Sequence, residues 1–191
     1  MEQSRKSRIF AEKEVMSPYI VAFIILTALF VILTIIGSRM DQQIRIEVQR
    51  HVKAETSEVF VEIGNFERFV LWSPWTGKDQ NMKSSLSGEL LSVGSIYQWK
   101  GNRSVGEGRM EITHIEVNRK IEMDLEFGRR ALSKTGFILE ETENGTLITW
   151  YFESDLGPSP MNRLAGPLMK KFIRADFEKG LQQLEQHLET R

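Results

Sequence analysis

The chain has 191 residues, with 25 Lys and Arg against 26 Asp and Glu and a formal net charge of −1. That balance excludes the basic excess expected of a protein that binds nucleic acid. The lack of cysteine excludes disulfides, thiol catalysis and cysteine-ligated zinc, and the length suffices for one domain with a real core.

The first distinctive segment begins at Tyr19 and ends at Ile36, and it holds no charged side chain. As a helix rising ~1.5 Å per residue it is about 27 Å long, close to a hydrocarbon core of ~30 Å. It is apolar on all sides, unlike an amphipathic core helix. It leaves through Gly37, Ser38, Arg39 and Met40, a poor match to a signal-cleavage site. We therefore read residues 1–18 as a polar tail, 19–37 as a single transmembrane helix, 38–43 as a short linker and 44–191 as the folded domain. Arg5, Lys6, Arg8 and Lys13 precede the run, while Arg39, Arg45 and Arg50 follow it. This small bias puts the domain on the extracytoplasmic side. An extended linker at ~3.5 Å per residue keeps the domain within about 20 Å of the bilayer.

The domain opens with alternation over Gln43–Val52, where Ile44, Ile46 and Val48 share one face of a half-buried strand. Thr56 or Ser57 then caps a short helix that buries Val59, Phe60 and Ile63, and Gly64-Asn65 ends it. A second short helix, Phe66–Trp72, stops at Ser73-Pro74. Strands follow at 84–91, 95–100, 106–117 and 121–127. In the last of these, Ile121, Met123, Leu125 and Phe127 alternate with Glu122, Asp124 and Glu126, so one face is apolar and the other wet. Within 106–117 the apolar parity changes between Ile112 and Ile115, which signals either a β-bulge near Thr113-His114 or two strands meeting there. Strands 137–141 and 146–153 flank Asn144-Gly145, read as the centre of a two-residue hairpin. After the breaker 157–160, a long helix spans 167–189 with Pro167 in its first turn. Its apolar stripe is Leu168, Phe172, Ala175, Phe177, Leu181, Leu184 and Leu188.

This order predicts an α+β fold: a bent antiparallel sheet of six to seven strands wrapped on a long C-terminal helix, with two short helices after the first strand. The inward apolar surface of such a sheet exceeds what one helix stripe fills, and the surplus space is a candidate cavity.

The pieces 65–75 (NFERFVLWSPW), 94–99 (GSIYQW), 106–110 (GEGRM), Gly145-Thr146 with Trp150, and 176–181 (DFEKGL) occur in this order. Together they resemble the START/birch-pollen-allergen superfamily of helix-grip domains (SRPBCC), most closely its polyketide cyclase/dehydrase-like branch. The resemblance covers roughly residues 44–188 and leaves out the apolar run. It implies a deep cavity between sheet and final helix that holds a hydrophobic or lipid-like small molecule. It implies no single reaction, because fold analogy does not settle activity.

If the inward faces line that cavity, its residues are Tyr97, Trp99, Met110, Met123, Phe127, Phe137, Ile148, Trp150 and Phe152, with Met169 and Phe172 from the last helix. Filling the core is the competing role for each. Gly106 and Gly108 belong to no strand–turn–helix unit, so they make room for Trp99 or a ligand, or allow a bend, rather than cradle phosphate. Trp72 and Trp75 gate the cavity, rest on the membrane interface or pack on the sheet. His51, His114 and His187 show no metal-ligand spacing, and neither metal nor cofactor is expected. The alternative function is a cyclase/dehydrase-like enzyme, for which Tyr97, His114 and Tyr151 are the only candidates, Tyr151 having outward parity.

Overall fold

The computed structural model describes residues 16–79, 81–128 and 132–190. Most of the polar tail 1–18 lies outside these residues. Helix α1 (Pro18–Arg39) is followed by β1 (Gln43–Val52), α2 (Thr56–Gly64), α3 (Phe66–Trp72) and a 3-10 turn at Thr76–Lys78. Then come β2 (Lys83–Ser87), β3 (Ile96–Lys100), β4 (Glu107–Glu116), β5 (Lys120–Phe127), β6 (Ser133–Thr142), β7 (Gly145–Asp155) and α4 (Pro160–Glu189). The seven strands form one sheet in the order β1-β7-β6-β5-β4-β3-β2, every pair antiparallel. This is the expected helix-grip arrangement.

Strand parity decides which face is buried. Ile44, Ile46 and Val48 on β1 and Ile121 and Met123 on β5 join Trp150, Phe177, Leu181 and Leu184 in the core. The register between β4 and β5 shifts between Ile112 and His114, so the parity change is a bulge within one strand.

Three expectations are corrected. The β6–β7 loop is Glu143-Asn144, because Thr142 pairs with Gly145. Gly145, at φ +136°, is required there because a Cβ would stand 2.0 Å from the Val52 carbonyl oxygen. The last helix starts at Pro160 rather than Pro167, since Pro160 itself fills the first-turn position and Pro167 is carried inside the helix. Its inward stripe is Met169, Ile173, Phe177, Leu181 and Leu184, whereas Leu168 and Phe172 face solvent.

Helix α1 is long and apolar enough to cross a membrane. Only Leu33, Thr34 and Gly37 within it are sheltered, and it packs against α4. A Cβ at Gly37 would lie 2.3 Å from the Pro160 carbonyl oxygen, so glycine allows the two helices to meet closely. Arg163 donates to Gln42 Oε1 at 2.9 Å and fixes the linker to the start of α4.

Candidate functional site

Between the sheet and the N-terminal half of α4 lies a cavity of about 680 Å³. Its floor follows the ladder. Tyr97 pairs with Met110, Met110 with Leu125 and Leu125 with Ser133, which brings side chains from β3, β4, β5 and β6 into one inward row. Trp150 and Phe152 of β7 continue the floor, and Met169, Ile173 and Phe177 of α4 form the facing wall. Phe69, Ser73 and Trp75 close one end.

Of the residues read from the sequence, Tyr97, Trp99, Met110, Phe127, Trp150 and Met169 line this cavity. Phe127 stands at its rim, 42% exposed. Met123 and Phe137 share the inward face but are buried in the core. Trp72 packs on Phe137 at 6.3 Å between ring centroids, so α3 plugs that part of the grip. Phe172 is 62% exposed and points away from the cavity, since Met169 and Ile173 occupy the helix face that meets the sheet. Phe152 lines it as well, Ile148 is buried in the core, and Ile173 and Leu125 were missed. The spacing of Met169, Ile173 and Phe177, which runs on into Leu181 and Leu184, was the signal for Ile173.

The two tryptophans separate. Trp72 is buried, its indole Nε1 donating to the Glu62 carbonyl oxygen at 3.1 Å. Trp75 lines the cavity and donates to Asp176 Oδ2 at 3.1 Å, while Lys78 Nζ reaches Asp176 Oδ1 at 2.6 Å. These bonds latch the segment after α3 onto α4 across one end of the cavity. Gly108 gives way to Trp99, as a Cβ would meet the indole at 2.5 Å. Trp99 in turn stacks on Tyr97 with centroids 5.4 Å apart.

Polar atoms are few and mostly spoken for. Thr135 Oγ1 donates to the Tyr151 carbonyl oxygen at 2.7 Å and accepts from Trp150 Nε1 at 3.2 Å. Ser133 Oγ and Ser154 Oγ bond each other at 2.9 Å. Burial pushes the Tyr97 phenol above its ordinary range, partly offset by a hydrogen bond to Ser84. Tyr151 lies on the other sheet face, with its hydroxyl donating to Glu122 Oε1 at 3.2 Å. Burial first, and then the Glu122 charge, raise it further. His114 faces outward beside Glu116, its side chain half exposed, so the bulge does not turn it inward.

A titration follows from these shifts. A phenol whose pKa is higher folded than unfolded adds stability below pH ~10, which is lost as the pH rises from there towards the folded value. Tyrosinate absorbance assigned to Tyr97 and Tyr151 by Tyr→Phe variants should therefore rise above the ordinary phenol range of about pH 10 rather than at it. A smooth titration near pH ~10 in folded protein would contradict it.

Comparison with known proteins agrees with this architecture. No curated protein matches the chain. Among solved structures, protein MLL2253 from Mesorhizobium loti superposes with a TM-score of 0.58 at 15% identity, over 77% of this chain and 98% of that one. The SA2116 protein from Staphylococcus aureus gives 0.57 at 12%, over 79% and 98%. CalU16 from Micromonospora echinospora gives 0.55 at 16%, over 75% and 73%. At such identities these likenesses establish the fold alone. The family model described as polyketide cyclase / dehydrase and lipid transport matches residues 43–189, from the first strand to the end of α4. The chain thus belongs to the polyketide cyclase/dehydrase and lipid transport family, whose members support a domain of hydrophobic ligand-binding or cyclase type.

Proposed function

We propose that this is a membrane-anchored binding module that holds a hydrophobic or lipid-like small molecule between the sheet and α4. Residues 1–18 form its tail, 19–37 cross the membrane once, 38–43 link, and the domain 44–191 stands on the extracytoplasmic side. The observation that carries the reading is the cavity itself. Its volume falls within the range of about 300–1,000 Å³ typical of small-molecule sites, and its walls are mainly apolar. Tyr97, Trp99, Met110, Phe127, Trp150 and Met169 are the proposed contacts, joined by Ile173.

A cyclase/dehydrase-like enzyme acting on a hydrophobic substrate is the alternative. It needs ionisable groups converging inside the cavity. Among the described residues those on its wall are Tyr97, Asp155 and Asp176. Asp176 accepts from Trp75 and Lys78, Asp155 from Gln42 and the Gly157 amide, and the Tyr97 ring is stacked on Trp99, so the three do not converge on one point. Binding is therefore the reading the geometry supports best.

Ile173→Trp should fill the cavity and weaken uptake of a fluorescent fatty-acid analogue about tenfold or more, with far-UV circular dichroism unchanged. Native mass spectrometry of the detergent-solubilised full chain should show a co-purifying hydrophobe. Neither uptake nor a bound hydrophobe in the folded parent protein would sink the proposal.

A further inference from the structure

Helix α4 carries a second apolar stripe that the fold covers only in part. Met161, Leu164, Leu168 and Phe172 recur at spacings of three and four, so they share one helix face. Leu168 is 57% exposed and Phe172 62%. The face they share is separate from the one formed by Met169, Ile173 and Phe177, which looks into the cavity.

The charges on one flank of the stripe, Lys171 and Arg174, are basic, whereas Lys170 falls on the face of Phe177, seven residues on. Residues 160–175 contain Arg163, Lys170, Lys171 and Arg174, and no Asp or Glu. Arg163 is engaged by the linker. Lys170, Lys171 and Arg174 enter no ion pair among the described residues. The position of this surface is also specific. It begins where α4 meets the end of α1, with Gly37 closed against Pro160.

We propose that the outer face of α4 lies on an anionic leaflet of the bilayer that α1 spans. Met161, Leu168 and Phe172 enter the boundary between headgroups and acyl chains, and Lys171 and Arg174 meet lipid phosphates. Apolar residues flanked by lysine and arginine are what an interfacial helix requires. So short a stripe holds a free domain weakly, but the tether supplies a high local concentration. The inference rests on α1 being a membrane anchor. It adds an orientation: the cavity wall of Met169 and Ile173 then stands about one helix diameter, ~10 Å, from the lipid.

The lack of cysteine makes the test direct. Phe172→Cys and Val117→Cys are made in the full chain and labelled with a polarity-sensitive dye. Val117 is 76% exposed and sits at the β4–β5 turn, the opposite end of the strands from the α1–α4 contact. The proteins are reconstituted in phosphatidylcholine vesicles with about 30% phosphatidylglycerol and a lipid-borne quencher. The dye at 172 should be blue-shifted and quenched, and the dye at 117 should be neither. Combining Lys171→Glu and Arg174→Glu should cut quenching at 172 about threefold or more, while carbonate-resistant flotation with the vesicles persists. Equal quenching at both positions in protein that still floats overturns the docking and leaves the anchor intact. Release from the vesicles by carbonate overturns the anchor itself. A blue shift at 172 that follows protein concentration without lipid quenching assigns the stripe to a second copy and also overturns the proposal.

Discussion

Trp150→Ala should destabilise the domain by ~4 kcal/mol, as expected for truncating a large buried aromatic side chain. Trp150 is the hub of the aromatic core. Phe177 of α4 stacks on it with centroids 3.9 Å apart and planes 8° off parallel. Phe137 lies at 4.7 Å, and Trp72 and Trp75 approach edge-on at 5.9 and 5.8 Å. One residue therefore joins β6, β7, α3, the segment after it and α4. Gly180 is the complement that lets the helix come so near, because a Cβ there would stand 2.7 Å from the indole. A domain of this size is stable by about 5–15 kcal/mol, so the loss is a large fraction of the total. Chemical denaturation of the full chain in detergent measures it. Trp150→Phe keeps a ring against Phe177 but gives up the bond to Thr135, and should cost ~1–2 kcal/mol. A cost below ~1 kcal/mol for Trp150→Ala would remove Trp150 from this role. Because Trp150 also lines the cavity, a bound hydrophobe that expands into the new space should recover part of the loss.

The parts of the fold visible in the sequence are those where one side chain in two is buried. Ile44, Ile46 and Val48 could face only one way, and so could Ile121 and Met123. The change of parity between Ile112 and Ile115 marked an irregularity for the same reason, and the unbroken pairing of β4 with β5 made it a bulge rather than two strands. Helix α4 was harder because it carries two apolar stripes. Leu168 and Phe172 compete with Met169 and Ile173 for the inward side, and spacing within the first turns does not choose between them. Packing chose the stripe that continues through Phe177, Leu181 and Leu184. The same ambiguity produced both the mistaken pocket residue Phe172 and the surface we assign to the bilayer. Pro167 misled in a related way, as a good first-turn residue that here sits inside the helix.

The cavity was visible as a class of residue but not as a boundary. Tyr97, Trp99, Met110, Met123, Phe127, Phe137 and Trp150 have the right parity, yet α3 covers Phe137 and leaves Trp150 on the wall. Which inward residue meets ligand and which meets protein depends on where α2 and α3 rest, and that contact is between segments far apart in sequence. The latch from Trp75 and Lys78 to Asp176 was hidden likewise, its partners lying about a hundred positions apart.

Arg68→Met should cost ~2–3 kcal/mol, and most of that should return when Glu62→Leu is added. Glu62 sits in the apolar stripe of α2, and its side chain is fully buried. Arg68 Nη1 lies 2.6 Å from Oε1, and His187 Nε2 lies 3.1 Å from Oε2. The Glu62 backbone carbonyl takes the Trp72 indole. Taking a carboxylate out of water is costly, and its partners repay that cost only while they are in place. Removing Arg68 withdraws a permanent charge and leaves the buried anion. The partial exposure of Arg68, 37% of its side chain, keeps the expected loss below the figure for a fully buried pair. Glu62→Leu removes the anion, so the double variant should be closer to the parent than Arg68→Met alone. Additive losses in this cycle, measured by denaturation, would mean that Arg68 and Glu62 pack together without electrostatic coupling. The cycle also bears on the site. Glu62 ties α2 to α3 through Arg68 and both to the last turns of α4 through His187, which fixes how far α3 stands from the helix. Phe69 of α3 and Trp75 just beyond it close one end of the cavity. Loosening the clamp should therefore speed release of bound hydrophobe as well as unfolding, and a change in stability without a change in release rate would separate the clamp from the cavity.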